Sequence, residues 1–139
     1  MRIAGMFSTA ILGAFLLSAQ DVPKISKVGA AATSPASGKE MFRAYCASCH
    51  GAEGKGNGPA APALKKQPTD LTQLAKTNGG KFPALSVVAS IKDGVQTGHG
   101  SKDMPVWGPI LSSVSGDSPG AVDQRASNLV TYIQSIQAK

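Results

Sequence analysis

The chain is poor in aromatic residues, with 7 among its 139, and holds only 2 cysteines. It has no arginine-rich block. Its basic residues are mostly lysines scattered along the chain, with one adjacent pair at Lys65 and Lys66. Aromatic and basic residues do not interleave, so the footprint of a nucleic-acid-binding surface is missing. No convincing apolar–polar alternation appears, and a β-sheet is therefore not expected. There is no internal repeat. The long apolar run is Ile3 to Ala19, interrupted by Gly5, Ser8, Thr9 and Gly13. It falls short of the roughly 20 predominantly apolar residues that a membrane-spanning helix needs.

What the chain does contain sets further bounds. Its length suits one small domain. With 16 glycines and 9 prolines, much of that domain should be loop. A loop-rich domain of this size has difficulty filling a core with side chains alone, and a large buried cofactor would supply the missing volume. The formal net charge of +6 fits either a solvated basic surface or docking onto an acidic protein.

Residues 1–19 have Arg2 near the start, an apolar run and small Ala19, the arrangement of a secretory signal peptide. The expectation is export to the periplasm, with no stable membrane insertion after cleavage. Without cleavage, the same segment would act as an anchor. Leu17 suits the third position before the cut poorly. Ala30-Ala31-Ala32 suits it better, but lies beyond the charged stretch Asp21 to Lys27. Residues 20–37 are rich in Ala, Ser, Lys and Pro, without periodicity, and are read as a flexible lead-in. The folded domain is expected over 38–139.

The chemistry concentrates at Cys46-Ala47-Ser48-Cys49-His50. A disulfide across two intervening residues would remove little unfolded-state entropy, so a structural bridge explains the pair poorly. Cys-x-x-Cys-His is the attachment signature of haem c. Gly38, Met41, Phe42, Tyr45, Cys46 and Cys49 recur at helical steps, which places both thiols on one helix face within reach of one porphyrin edge. His50 follows directly and can turn its imidazole to the iron. A thioredoxin-like site would need a βαβ context. A closed zinc site would need two more ligands, and His99 is the only strong candidate.

From Gly38 to the C-terminus the chain resembles a class I, mono-haem c-type cytochrome of bacterial type. The resemblance rests on Gly38-x-x-x-Phe42-x-x-x-Cys46-Ala47-Ser48-Cys49-His50-Gly51, Pro62-Ala63-Leu64, Met104-Pro105-Val106-Trp107-Gly108, and a last helix around Tyr132. It implies an all-α cytochrome c-like fold, with about four to five short helices and loops wrapped around one covalent haem c. It also implies His50 and Met104 as the axial iron ligands, since a Met-Pro pair in the late loop donates the sixth ligand in that family. Met104 lies in a polar, Gly-rich loop, where core filling is a weak explanation, and Pro105 stiffens the segment after it. His99 on the same loop is the alternative ligand. Met41 is read as packing within the first helix.

The resemblance further implies that a proline carbonyl orients the proximal histidine, here Pro62, with Pro59 as alternative, and that Leu64 presses on the haem face. Trp107 is either packing or a hydrogen-bond donor to a haem propionate. Asp70-x-x-Gln73 resembles a capping box opening a helix from Leu71 to Lys76, and Ala84 to Lys92 forms another, between Pro83 and Gly94. The last helix runs from about Gly120 to Gln137, with an apolar stripe at Val122, Ala126, Leu129, Ile133 and Ile136. Gly38 would let it cross the first helix closely, with Phe42 and Tyr132 at the contact.

The functional expectation is a single-electron carrier, not an enzyme, working with redox proteins that present an acidic docking surface, and with no nucleic acid. The alternatives are a cytochrome subunit of a dehydrogenase or oxidase complex, or a haem enzyme or sensor with an open iron position.

Overall fold

A computed structural model describes residues 30–94, 103–116, 118 and 120–139. The expected signal peptide (1–19), the lead-in over 20–29, His99 and Lys102 lie outside the described residues. The chain is helical, with no strand among the described residues. A continuous helical run opens it: α1 (Gly38–Met41), a π-helical turn (Phe42–Cys46) and α2 (Ala47–His50). Short 3₁₀ turns follow at Ala61–Ala63 and Leu71–Gln73. The second leads into α3 (Leu74–Thr77), then come α4 (Ala84–Asp93), α5 (Trp107–Ser113) and α6 (Ala121–Ser135).

Local sequence accounts for most of these boundaries. The Ser37 hydroxyl accepts from the Glu40 amide at 3.2 Å and caps α1. The Asp70 carboxylate accepts from the Thr72 amide at 2.9 Å, so the cap read from the sequence is real. The box is not reciprocal, because the Gln73 amide turns to the Thr72 hydroxyl instead. Gly94, at φ 86°, ends α4 in a conformation that favours glycine.

Helices α1, α4 and α5 pack on α6 around one core. Met41, Phe42, Leu111 and Ala126 have no exposed surface, and Tyr45, Ile91, Leu129, Val130 and Ile133 are buried beside them. The apolar stripe of α6 is thus buried at Ala126, Leu129 and Ile133, and half-buried at Val122 and Ile136. Phe42 and Tyr132 meet with ring centroids 5.2 Å apart, at the crossing foreseen for the first and last helices.

Two features depart from the sequence reading. No helix is expected between Pro105 and Gly120, yet α5 begins at Trp107. Pro109 lacks an N–H, but it sits in the first turn, where that donor has no helical partner anyway. Gly108 lets the turn sit against α4, since a Cβ there would come 2.6 Å from the Lys92 carbonyl oxygen. Secondly, the end of the supposed lead-in is tied down. The Tyr45 hydroxyl donates to the Ala31 carbonyl at 2.6 Å, and Asn128 Nδ2 donates to the Pro35 carbonyl at 2.7 Å. Arg125 Nη2 donates to the Thr33 carbonyl at 3.1 Å. Contacts of the folded domain therefore begin before Gly38.

Candidate functional site

The two thiols and the imidazole arise where the helical run ends. The π turn ends at Cys46, which is also the N-cap of α2, and so shifts the helix phase ahead of Cys49 and His50, and Gly51, at φ 78°, stops the helix directly after His50. Insertions of this kind recur at functional sites. The chain then folds back over the motif. The amides of Gly56, Gly58 and Ala60 donate to the carbonyls of His50, Cys49 and Ser48 at 2.8, 3.0 and 2.9 Å. Close approach explains the glycines: a Cβ at Gly58 would lie 2.3 Å from the Ser48 oxygen, and one at Gly56 2.2 Å from the Pro68 oxygen. The loop carries Pro62 and Leu64 to an open cleft of about 460 Å³, lined also by Gly56, Asn57, Gly58, Ala61 and Gln67.

Cys46 and Cys49 are both free thiols and both partly buried. Burial, with a smaller contribution from Cys49, pushes the Cys46 thiol up to about 12. It therefore stays protonated at neutral pH. His50 is half-buried, and its burial holds the imidazole below its usual range, partly opposed by the Thr69 carbonyl. That carbonyl accepts from His50 Nδ1 at 3.0 Å. The bond places the ring proton on Nδ1 and leaves the Nε2 lone pair free for a metal.

This acceptor corrects one expectation. The oxygen that orients His50 belongs to Thr69, not to Pro62 or Pro59. The reason is local: the segment 68–71 is drawn against the motif loop by the Leu71 amide, which donates to the Gly54 carbonyl at 2.7 Å. Nothing in the residue types marked Thr69, because the acceptor is main chain. The nearest sequence signal was the Asp70 cap beside it.

The methionines separate clearly. Met41 is fully buried, and its Sδ lies 3.5 Å from Arg125 Nη1. Met104 is half-buried and packs against the same core cluster that Cys46 and Ala47 touch. Trp107 begins α5 and stacks on Tyr45, with centroids 5.4 Å apart and planes at 30°. Tyr45 lies one residue before Cys46, so the stack joins the Met104–Trp107 segment to the attachment helix. Among the described residues no cluster of three or more His, Cys, Asp or Glu could hold a bare metal ion.

The donor set fits a covalently attached iron porphyrin: two unbridged thiols three residues apart, an imidazole with a free Nε2, and a half-buried thioether. A helical fold bearing these groups defines a c-type cytochrome. Residues 33–133 match the model of the family described as cytochrome C oxidase, cbb3-type, subunit III, and the chain belongs to that family. Comparisons with curated proteins and with solved structures give no match. Haem-based electron transfer is the chemistry of such domains, which are typically carriers rather than enzymes.

Proposed function

We propose that this chain is an exported single-electron carrier with one covalent haem c and His50/Met104 axial ligation. The observation that carries the reading is His50: its Nδ1 is committed to the Thr69 carbonyl, which leaves one imidazole nitrogen as a fixed, neutral ligand. The bound group would supply a one-electron Fe(II)/Fe(III) couple. Cys46 and Cys49, both free thiols, would hold it through two thioether bonds, formed by addition of each S–H to a vinyl group with no net oxidation. Met104 would supply the second iron ligand, a role supported by the engagement of the Met41 sulfur in the core. Leu64 and Pro62 line the cleft beside the motif, and Trp107 supports the attachment helix through Tyr45.

The family description favours one other reading, a cytochrome subunit held within an oxidase complex. Its electron chemistry would be the same, and only the permanence of the partner differs. No described helix is long and apolar enough to cross a membrane.

The test joins haem staining after denaturing electrophoresis with absorption spectra of the reduced protein, with and without carbon monoxide. Pigment that stays on the polypeptide and a spectrum indifferent to the gas are the expected results. Pigment lost on denaturation refutes covalent attachment, and a large spectral shift means an open iron site and a haem enzyme or sensor.

A further inference from the structure

Gln137 lies beyond α6 and beyond the residues that match the family. Its side chain bridges a broken helical hydrogen bond. In a continuous α-helix the Ala75 amide would donate to the Leu71 carbonyl, four residues earlier. Here the chain changes between those residues from a 3₁₀ turn to α3. The Gln137 amide occupies the gap. Its Oε1 accepts from the Ala75 amide at 2.9 Å, and its Nε2 donates to the Leu71 carbonyl at 2.7 Å and to the Ile133 carbonyl at 2.9 Å. The neighbouring Ala138 amide donates to the Thr72 carbonyl at 2.8 Å. The partners fix the orientation of the amide, since an N–H needs the oxygen and a carbonyl needs the nitrogen.

The spliced segment begins two residues after Thr69, the residue that orients His50. Leu71 is held from both sides, its amide by Gly54 and its carbonyl by Gln137. Asp70, between Thr69 and Leu71, caps the same turn through Thr72. The Thr69 carbonyl thus sits on a short rigid arm clamped by the C-terminus of the chain.

We infer that Gln137 is a positioning residue for the proximal imidazole: by bridging Leu71 and Ala75 it fixes the arm that holds the Thr69 carbonyl on His50 Nδ1. The inference rests on the haem-carrier reading for its redox consequence. A carbonyl accepting from Nδ1–H makes the imidazole a more basic ligand and so favours oxidised iron. Loosening the arm should weaken that bond and raise the reduction potential.

The experiment compares full-length wild type with Gln137→Leu, Gln137→Ala and Gln137→Glu. The readouts are the reduction potential and, by NMR of ¹⁵N-histidine-labelled reduced protein, solvent exchange of the His50 Nδ1 proton. Gln137→Leu and Gln137→Ala should both exchange faster than wild type and have a raised potential, as expected when the bond that orients a ligating histidine is weakened. Gln137→Glu keeps the acceptor for Ala75 but loses the donor to Leu71, and should lie between. Arg125→Ala serves as a control that loosens the fold elsewhere, since the Arg125 hydrogen bonds go to Thr33, Ser115 and Met41, and it should leave both readouts in place. Wild-type exchange and potential in Gln137→Leu would overturn the inference, as would an Arg125→Ala shift of equal size, which would mean general loosening. Absence of haem from the wild type would instead refute the carrier reading, while ring-proton exchange would still test the arm.

Discussion

Gly38 and Asn128 touch through their main chains: a Cβ built on Gly38 would lie 2.0 Å from the Asn128 carbonyl oxygen and 2.9 Å from Tyr132 Cβ. At an exposed helical site, replacing glycine by alanine gains up to about 1 kcal/mol of helix propensity. At Gly38 the sign should reverse, because the obstacle is backbone and cannot rotate away. Gly38→Ala should lower the melting temperature and Gly38→Val should lower it further, with a loss of about 3 kcal/mol, the upper end of overpacking costs. A Gly38→Ala variant that melts at or above wild type would show that α1 and α6 do not approach this closely.

Arg125 should anchor the segment before α1. It is 4 % exposed, and its guanidinium meets neutral oxygens: the Ser115 hydroxyl at 2.8 Å and the Thr33 carbonyl and hydroxyl at 3.1–3.2 Å. Arg125→Ala removes these donors and leaves half-buried acceptors unpaired, at no more than about 1–3 kcal/mol each and less where water replaces the bond. Arg125→Lys should not rescue, since a single ammonium lacks the planar fork that reaches both Thr33 and Ser115. Limited proteolysis should cut the Arg125→Ala protein between residues 30 and 37 faster than wild type. Equal cutting would mean that the Thr33 contacts do not hold the segment.

Much of this was legible before the fold was known. Cys46, Cys49 and His50 carry their chemistry in residue type and spacing, and the apolar steps of α6 mark its buried face. Gly38 could be placed at the helix crossing because a gap in side-chain bulk leaves a trace in sequence. Thr69 and Gln137 could not be found that way. Thr69 acts through a carbonyl that every residue possesses, and Gln137 acts through a gap between Leu71 and Ala75 that exists only once two helical geometries meet. Arg125 lay between: it falls three residues after Val122 and four before Leu129, on the buried face. The preference of arginine for solvent concealed its place there. The start of α5 was hidden because Gly108-Pro109 reads as a turn.

Met104→Ala should open the sixth coordination position and lower the reduction potential, since a thioether ligand raises it. The measurement is the sulfur-to-iron charge-transfer absorption of the oxidised protein, which should vanish in the variant. Met41→Leu should keep the band, because the Met41 sulfur is committed to Arg125 in the core. A band that survives Met104→Ala assigns the ligand elsewhere. A band absent from the wild type raises His99 in place of Met104.

The cleft beside the attachment motif should also be where a partner docks. Leu64 and Gln67 line it, and the two residues between them, Lys65 and Lys66, are both exposed. The chain carries +6 formally. Removing residues 1–19 deletes Arg2 and no acid, giving 13 − 8 = +5 for the expected mature protein. Positive charge at the mouth of the cleft would draw an acidic redox protein toward the edge of the bound group and speed encounter. Salt should weaken that attraction, because the Debye length is only about 8 Å at physiological ionic strength. The second-order rate of electron transfer to an acidic redox protein should therefore fall steeply across a salt series, and Lys65→Glu with Lys66→Glu should flatten the fall. Lys139→Glu provides the comparison, since it changes net charge at the far end of the sequence. A rate indifferent to salt, or one lowered equally by Lys139→Glu, would mean that net charge alone governs encounter and that Lys65 and Lys66 do not direct it.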